Sequence, residues 1–182
     1  MMTLERKDSA RSLQVNVASD DSVIVAGYAS VFGIEDKGGD VVMAGAYARA
    51  LNALKAKGGG VKMLWQHDAT QPIGVWDTVH EDAHGLFVSG RLLTDVAKAR
   101  EAAALLGAGA IDGLSIGYRT VTASKNAKGQ RMLSDLELWE VSLVTFPMLP
   151  EARVTAKSED LPPLGSCAYA EALRRAQQQL AT

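Results

Sequence analysis

Cysteine is almost missing: Cys167 is the single one in 182 residues. No disulfide can form within the chain and no thiolate metal cluster can be built, so a reducing compartment is the natural setting. Cys167 stands in a Pro/Gly/Ser stretch, where a nucleophile would lack scaffold and a positioned base. An excess of either charge is missing too. Lys plus Arg is 19 and Asp plus Glu is 21, a net of −2. Such a balance gives no footprint for nucleic acid or an anionic membrane, and the expected partner is a protein or a small molecule. No apolar run approaches the roughly 18 residues of a membrane-spanning helix. The opening MMTLERKDSARSLQ lacks the apolar core of a signal peptide, so the chain is expected to be soluble and made where it works. Metal signatures are absent as well: there is no HExxH and no cysteine cluster. His80 and His84 are four apart, but on a segment that reads as strand and turn, where that spacing gives no shared face. Neither metal nor cofactor is expected.

What is present is a globular composition, 47% hydrophobic and 22% charged, in a length that suits one domain with a real core. Residues 1–12 read as a flexible start. Residues 13–32 read as two strands around Ser19–Ser22, followed by a Gly/Asp loop to Asp40. Met43, Tyr47, Leu51 and Leu54 recur at helical spacing, with Gly58 as the stop. VKMLWQH reads as a strand with Val61, Met63, Trp65 and His67 on one face. Residues 73–81 and 86–93 form a hairpin around EDAHG. A helix follows, capped by Thr94, with Val96, Ala99, Ala103 and Leu106 on one stripe. GLSIGYRTVTAS and QRMLSDLELWEVSLVTF are strands joined at KNAKG and stopped by Pro147 and Pro150. The folded domain is therefore 13–156, and 157–182 reads as a linker and C-terminal tail. Hairpin-linked strands must hide their edges, so an α+β fold is expected: a mostly antiparallel, closed β-barrel of six or seven strands with flanking helices.

Three positions could do chemistry together. Histidine is the usual general base near neutral pH. His67 ends an apolar strand and could face both solvent and core, whereas His80 and His84 flank an acidic turn that faces water. Ser115 in IDGLSIGY lies between Gly113 and Gly117, which clear side chains from an approaching carbonyl. Taken on pattern alone, it reads first as a small serine where glycines mark a bend. It is not the GxSxG elbow, which sits on a strand-to-helix turn. In DLELWEVSLVTF, alternation puts Leu136, Leu138, Glu140, Ser142 and Val144 on one face and Glu137, Trp139, Val141 and Leu143 on the other. One glutamate is outward and solvated; the other needs a partner. With KNAKG as the loop, facing positions sum to 254 or 255, which sets Ser115 opposite Trp139 or Glu140. A serine and a carboxylate so placed leave room for an imidazole, the arrangement of a nucleophile, base and orienter.

These stretches resemble a known family. GYASVFGIEDKGGDVVMAGAY, MLWQHDATQPIGVW, GLFVSGRLL, IDGLSIGY and LELWEVSLVTFPMLPEA together cover about residues 25–156. They are similar, in the same order, to the prohead maturation proteases of tailed phages. The resemblance implies a fold like that of the herpesvirus assemblins. It implies a serine endopeptidase that cleaves the scaffolding part of the major capsid protein, and often itself, inside the immature head in the bacterial cytoplasm. The family's serine falls on Ser115 and its histidine on His67. Assemblins use a second histidine as third member, which this sequence lacks, so Glu140 takes that place by the geometry above, with Glu137 and Asp135 as weaker candidates. Arg119 and Arg153 are candidate helpers that solubility explains equally well. The tail would then be a self-processed segment or a capsid tether, and oligomerisation is an expectation by analogy. A non-catalytic capsid assembly protein of the same fold is the alternative, and a small-molecule esterase shares the chemistry.

Overall fold

The computed structural model describes residues 16–17 and 23–154. The expectations for 1–12, Cys167 and the 157–182 tail lie outside these residues. The elements are β1 (Asn16–Val17), β2 (Val23–Val31), β3 (Asp40–Val42), α1 (Ala48–Ala56), β4 (Lys62–Trp65), β5 (Asp68–Glu81), β6 (Gly85–Leu92), α2 (Ala97–Gly107), β7 (Gly113–Lys125) and β8 (Arg131–Val144). The strands form one eight-stranded sheet in the order β1-β2-β6-β5-β4-β8-β3, with β7 also paired to β8.

The expected closed, mostly antiparallel barrel is corrected to a mixed sheet curled into a half-barrel. β8 is the reason. Along one edge it takes β7 antiparallel. Along the other it takes β3 at its start and β4 near its end, both parallel. Parallel neighbours cannot be joined by a tight hairpin: β3 and β4 follow one another along one edge of β8, with α1 between them, and the chain reaches β8 only after β5, β6, α2 and β7. At the open side β2 and β7 form no ladder with each other. Isolated bridges from Arg153 to Gly113 and from Val154 to Gly27 lace them at one end. Gly27 must be glycine there, since a Cβ would overlap the Arg153 carbonyl.

Burial explains the sequence patterns. Every residue of β2 is buried, which accounts for its continuous apolar run rather than an alternating one. β8 is mixed over its first half and wholly buried over Glu140–Val144. The core beneath holds Tyr47, Met63, Phe87, Leu92, Leu114 and Leu143.

Several local expectations shift. α1 starts at Ala48, so Met43 lies outside it. The helix does stop before Gly58, whose φ of 63° suits glycine. In α2, Val96 rather than Thr94 takes the N-cap, without a side-chain cap bond, and the buried stripe is Ala99, Ala102 and Leu106. β4 ends at Trp65, so His67 belongs to a turn and ATQP to β5. The β7–β8 hairpin is also out of register with the expectation: Ser115 faces Ser142 and Gly117 faces Glu140.

Candidate active site

The turn after β4 sets the first group. Gln66 and His67 both have positive φ, 53° and 63°, which costs an L-residue about 1 kcal/mol each. The end of β8 holds them there. The Gln66 amide donates to the Leu143 carbonyl at 3.0 Å. The Gln66 side chain donates to Thr145 Oγ1 at 2.8 Å, and the Thr145 amide donates back to Gln66 Oε1 at 3.3 Å. The His67 amide finds no strand carbonyl and donates instead to Ser142 Oγ at 3.1 Å.

The turn aims the His67 ring at Glu140. Nδ1 and Oε1 lie 2.6 Å apart. The other carboxylate oxygen, Oε2, accepts from the Ser142 hydroxyl at 2.6 Å. Glu140 is only 8% exposed, and a carboxylate so enclosed is costly unless both oxygens are satisfied, as here. The His67 side chain is 42% exposed, so the ring meets solvent on its far side. The expected alternation breaks at Trp139, which the register shift leaves unpaired, so Leu136 and Leu138 turn to the core with Val141 and Leu143, away from Glu140 and Ser142. Glu137 points outward and pairs with Arg119. The expected contrast is one of exposure: Glu137 is partnered at the surface and Glu140 in the interior. Asp135 is bound by Arg49 at the surface.

Ser115 comes from β7. Directly paired antiparallel residues put their side chains on one face, so Ser115 and its partner Ser142 project together. Glu140, two positions before Ser142, shares that face. Ser115 is 7% exposed and lines a cavity of about 130 Å³ between β2 and β7, with Ser30, Val31, Asp36, Tyr118 and Met148. This cavity occupies the side of the half-barrel where the ladder is missing. Among the described residues no hydrogen bond joins the Ser115 hydroxyl to His67.

Gly117 has a role that alternation alone does not reveal. A Cβ there would lie 2.7 Å from Glu140 Cδ and 2.8 Å from Cγ, overlapping the carboxylate itself. Its missing side chain is the space that Glu140 fills. Ser142 is the other residue passed over in the sequence. Its signal is a hydroxyl two places beyond a buried glutamate in an apolar run, on a fully buried strand segment.

The remaining candidates are engaged elsewhere. His80 packs against Phe87 and His84 edge-on against Tyr28, both at the β5–β6 hairpin. Arg119 serves Glu137, and Arg153 serves Asp112 and the Pro150 carbonyl. Among the described residues no three His, Cys, Asp or Glu side chains group as metal ligands, and no helix is long and apolar enough to cross a membrane. At the cavity rim Asp40 accepts from Arg131 Nε at 2.6 Å and Nη2 at 2.5 Å, and from the Tyr118 hydroxyl at 3.0 Å. The Arg131 bonds hold the Asp40 carboxyl below the usual carboxylate range. Burial, aided by the Asp40 bond, pushes the Tyr118 phenol up to about 12.

Known proteins place the chain, though not its individual site residues. A family model described as Caudovirus prohead serine protease matches residues 11–165. The "Prohead protease" of Enterobacteria phage HK97 is 33% identical over 141 residues, which is 75% of this chain and 61% of that protein. The chain thus spans less than two thirds of that relative's length. Among solved structures, the bacteriophage T4 capsid assembly protease gp21 matches with a TM-score of 0.59 at 10% identity, covering 74% of this chain and 93% of that one. The KSHV protease in complex with a hexapeptide phosphonate inhibitor matches with a TM-score of 0.52 at 10% identity, covering 87% and 77%. At such identity these two likenesses concern the fold alone, which is assemblin-like. The sequence match extends over most of the chain, and on it the chain belongs to the caudovirus prohead serine protease family.

Proposed function

We propose that this protein is a serine endopeptidase that cleaves the scaffolding part of a major capsid protein within the prohead, inside the host cell, with Ser115 as nucleophile, His67 as base and Glu140 as orienter. The observation that carries the reading is the 2.6 Å bond between His67 Nδ1 and Glu140 Oε1, made on the face of the sheet from which Ser115 projects. A carboxylate at Nδ1 accepts a hydrogen bond from Nδ1–H, which keeps the proton on that nitrogen and leaves Nε2 with the basic lone pair. Nε2 takes the Ser115 proton as the oxygen attacks a peptide carbonyl. The imidazolium so formed is balanced by Glu140, and its proton passes to the leaving amine. Water then repeats the cycle on the acyl-enzyme. Catalytic hydrogen bonds are often long in an unliganded protein and tighten around substrate, which accommodates the missing Ser115–His67 bond. The cavity beside Ser115 would receive a substrate side chain next to the scissile bond.

Co-expression with the neighbouring capsid gene product tests this, with new N-termini mapped by mass spectrometry. The wild-type chain should cut the precursor, and Ser115→Ala should abolish cutting while the protein stays folded. Persistent cleavage by Ser115→Ala would remove Ser115 from the mechanism. No cleavage by the wild type would favour a non-catalytic assembly role.

A further inference from the structure

We propose that Ser142 is a positioning residue of this site, acting through Glu140 and His67 rather than on the substrate; the assignment rests on the peptidase reading for its effect on rate. Its hydroxyl does two things at once. It donates to Glu140 Oε2 at 2.6 Å and accepts from the His67 amide at 3.1 Å. With the His67 Nδ1–Glu140 Oε1 bond, these contacts close a ring through the backbone and side chain of His67, one hydroxyl and one carboxylate. A carboxylate held at a single oxygen can turn about its last torsion, which is broad. Held at both, it presents Oε1 to Nδ1 in one orientation. The same hydroxyl anchors the strained turn that carries the ring, since the His67 amide, with φ of 63°, takes it as acceptor.

The location suits this task. Ser142 is fully buried, so its hydroxyl has no water to compete for it and its bonds are strong in that surrounding. It faces Ser115 directly across the β7–β8 ladder and neighbours Leu64 in the β4–β8 ladder. It therefore joins the three strands that supply the nucleophile, the orienter and the histidine turn.

The test reads the imidazole directly. In the wild-type full chain, nitrogen-15 NMR of His67 should show one neutral tautomer, protonated at Nδ1, with a slowly exchanging downfield proton. In Ser142→Ala that proton should broaden or vanish and the nitrogen shifts should move towards a tautomer mixture, the chain remaining folded by circular dichroism. On a peptide substrate kcat should fall about ten- to hundredfold with KM little changed, the loss expected when a reacting group is misaimed by a fraction of an ångström. In a double-mutant cycle with Glu140→Gln, the second substitution should add little, because both act through one carboxylate. An unaltered His67 signal in Ser142→Ala, or fully independent losses in the cycle, would overturn the assignment. Should Ser142→Ala not fold, Ser142→Cys keeps the shape with a weaker donor and is read in the same way. If the wild type cleaves nothing, the peptidase reading fails, and the His67 signal still decides whether Ser142 positions the ring.

Discussion

The two ends of β8 handle polar groups in opposite ways. Near its start, acidic side chains at or beside the strand meet arginines at the surface: Arg131 with Asp40, Arg49 with Asp135 and, a turn further on, Arg119 with Glu137. Near its end, between β4 and β7, Glu140 and Ser142 are buried, and the one charged partner that Glu140 has among the described residues is His67. A permanent cation beside Glu140 would neutralise it once and for all. An imidazole can be neutral or charged, so the counter-charge can come and go with a proton. One strand thus carries carboxylate–arginine pairs near its start and, at its buried end, a carboxylate paired with an imidazole.

Substitutions can break this contrast, and the largest effect is expected at the buried end. Gly117→Ala puts a methyl group where the Glu140 carboxylate lies. The carboxylate must swing away from His67, and peptide cleavage should fall by about a hundredfold or more. Activity within a few-fold of wild type would show that Glu140 does not need that space.

A middling effect is expected at the cavity rim. Because Arg131 lowers the Asp40 pKa in the folded state, the pair stabilises the fold fully above the ordinary carboxylate pKa of about 4. That stabilisation disappears as pH falls through the lower folded-state value. Arg131→Gln should cost no more than about 1 kcal/mol at pH 7, since Arg131 is half exposed. Thermal melts of the two forms should differ at neutral pH and converge in acid; a gap that widens in acid would contradict the assignment.

The smallest effect belongs to Glu137→Gln. Its partner Arg119 is 65% exposed, and stability should change by about 0.5 kcal/mol or less with cleavage unaltered. If this variant lost activity while Glu140→Gln did not, the assignment of the inward glutamate would be reversed.

The contrast also shows what the sequence could and could not reveal. Ser115, His67 and Glu140 were legible because each is a polar group set in an apolar or glycine-rich run, and the structure joins the last two directly. The hairpin register was not legible. At the loop Lys125 already pairs with Arg131, one place off the counted register, and the shift at Gly117/Tyr118 adds one more, while those on either side of Thr122 cancel; bulges leave little trace in residue patterns. Against the pairing of Ser115 with Glu140, the displacement is two residues, an even number, so these two still share a face, while Leu136 and Leu138, beyond the bulge, leave the row expected with Glu140. The open half-barrel escaped for a different reason. Hairpin counting pairs each strand with its chain neighbour, whereas β3 and β4 pair with β8 across long separations.

The place of β8 at the heart of the sheet has a consequence for the timing of biosynthesis. Ribosomes deliver chains from the N-terminus, and β8 is the last of the described strands to emerge. Until it does, β3, β4 and β7 lack their common neighbour, the left-handed turn at 66–67 has nothing to lean on, and no carboxylate waits for the ring. A nascent chain therefore carries its hydroxyl at 115 before the ring and carboxylate can meet, and the proposed triad comes together only with the final strand.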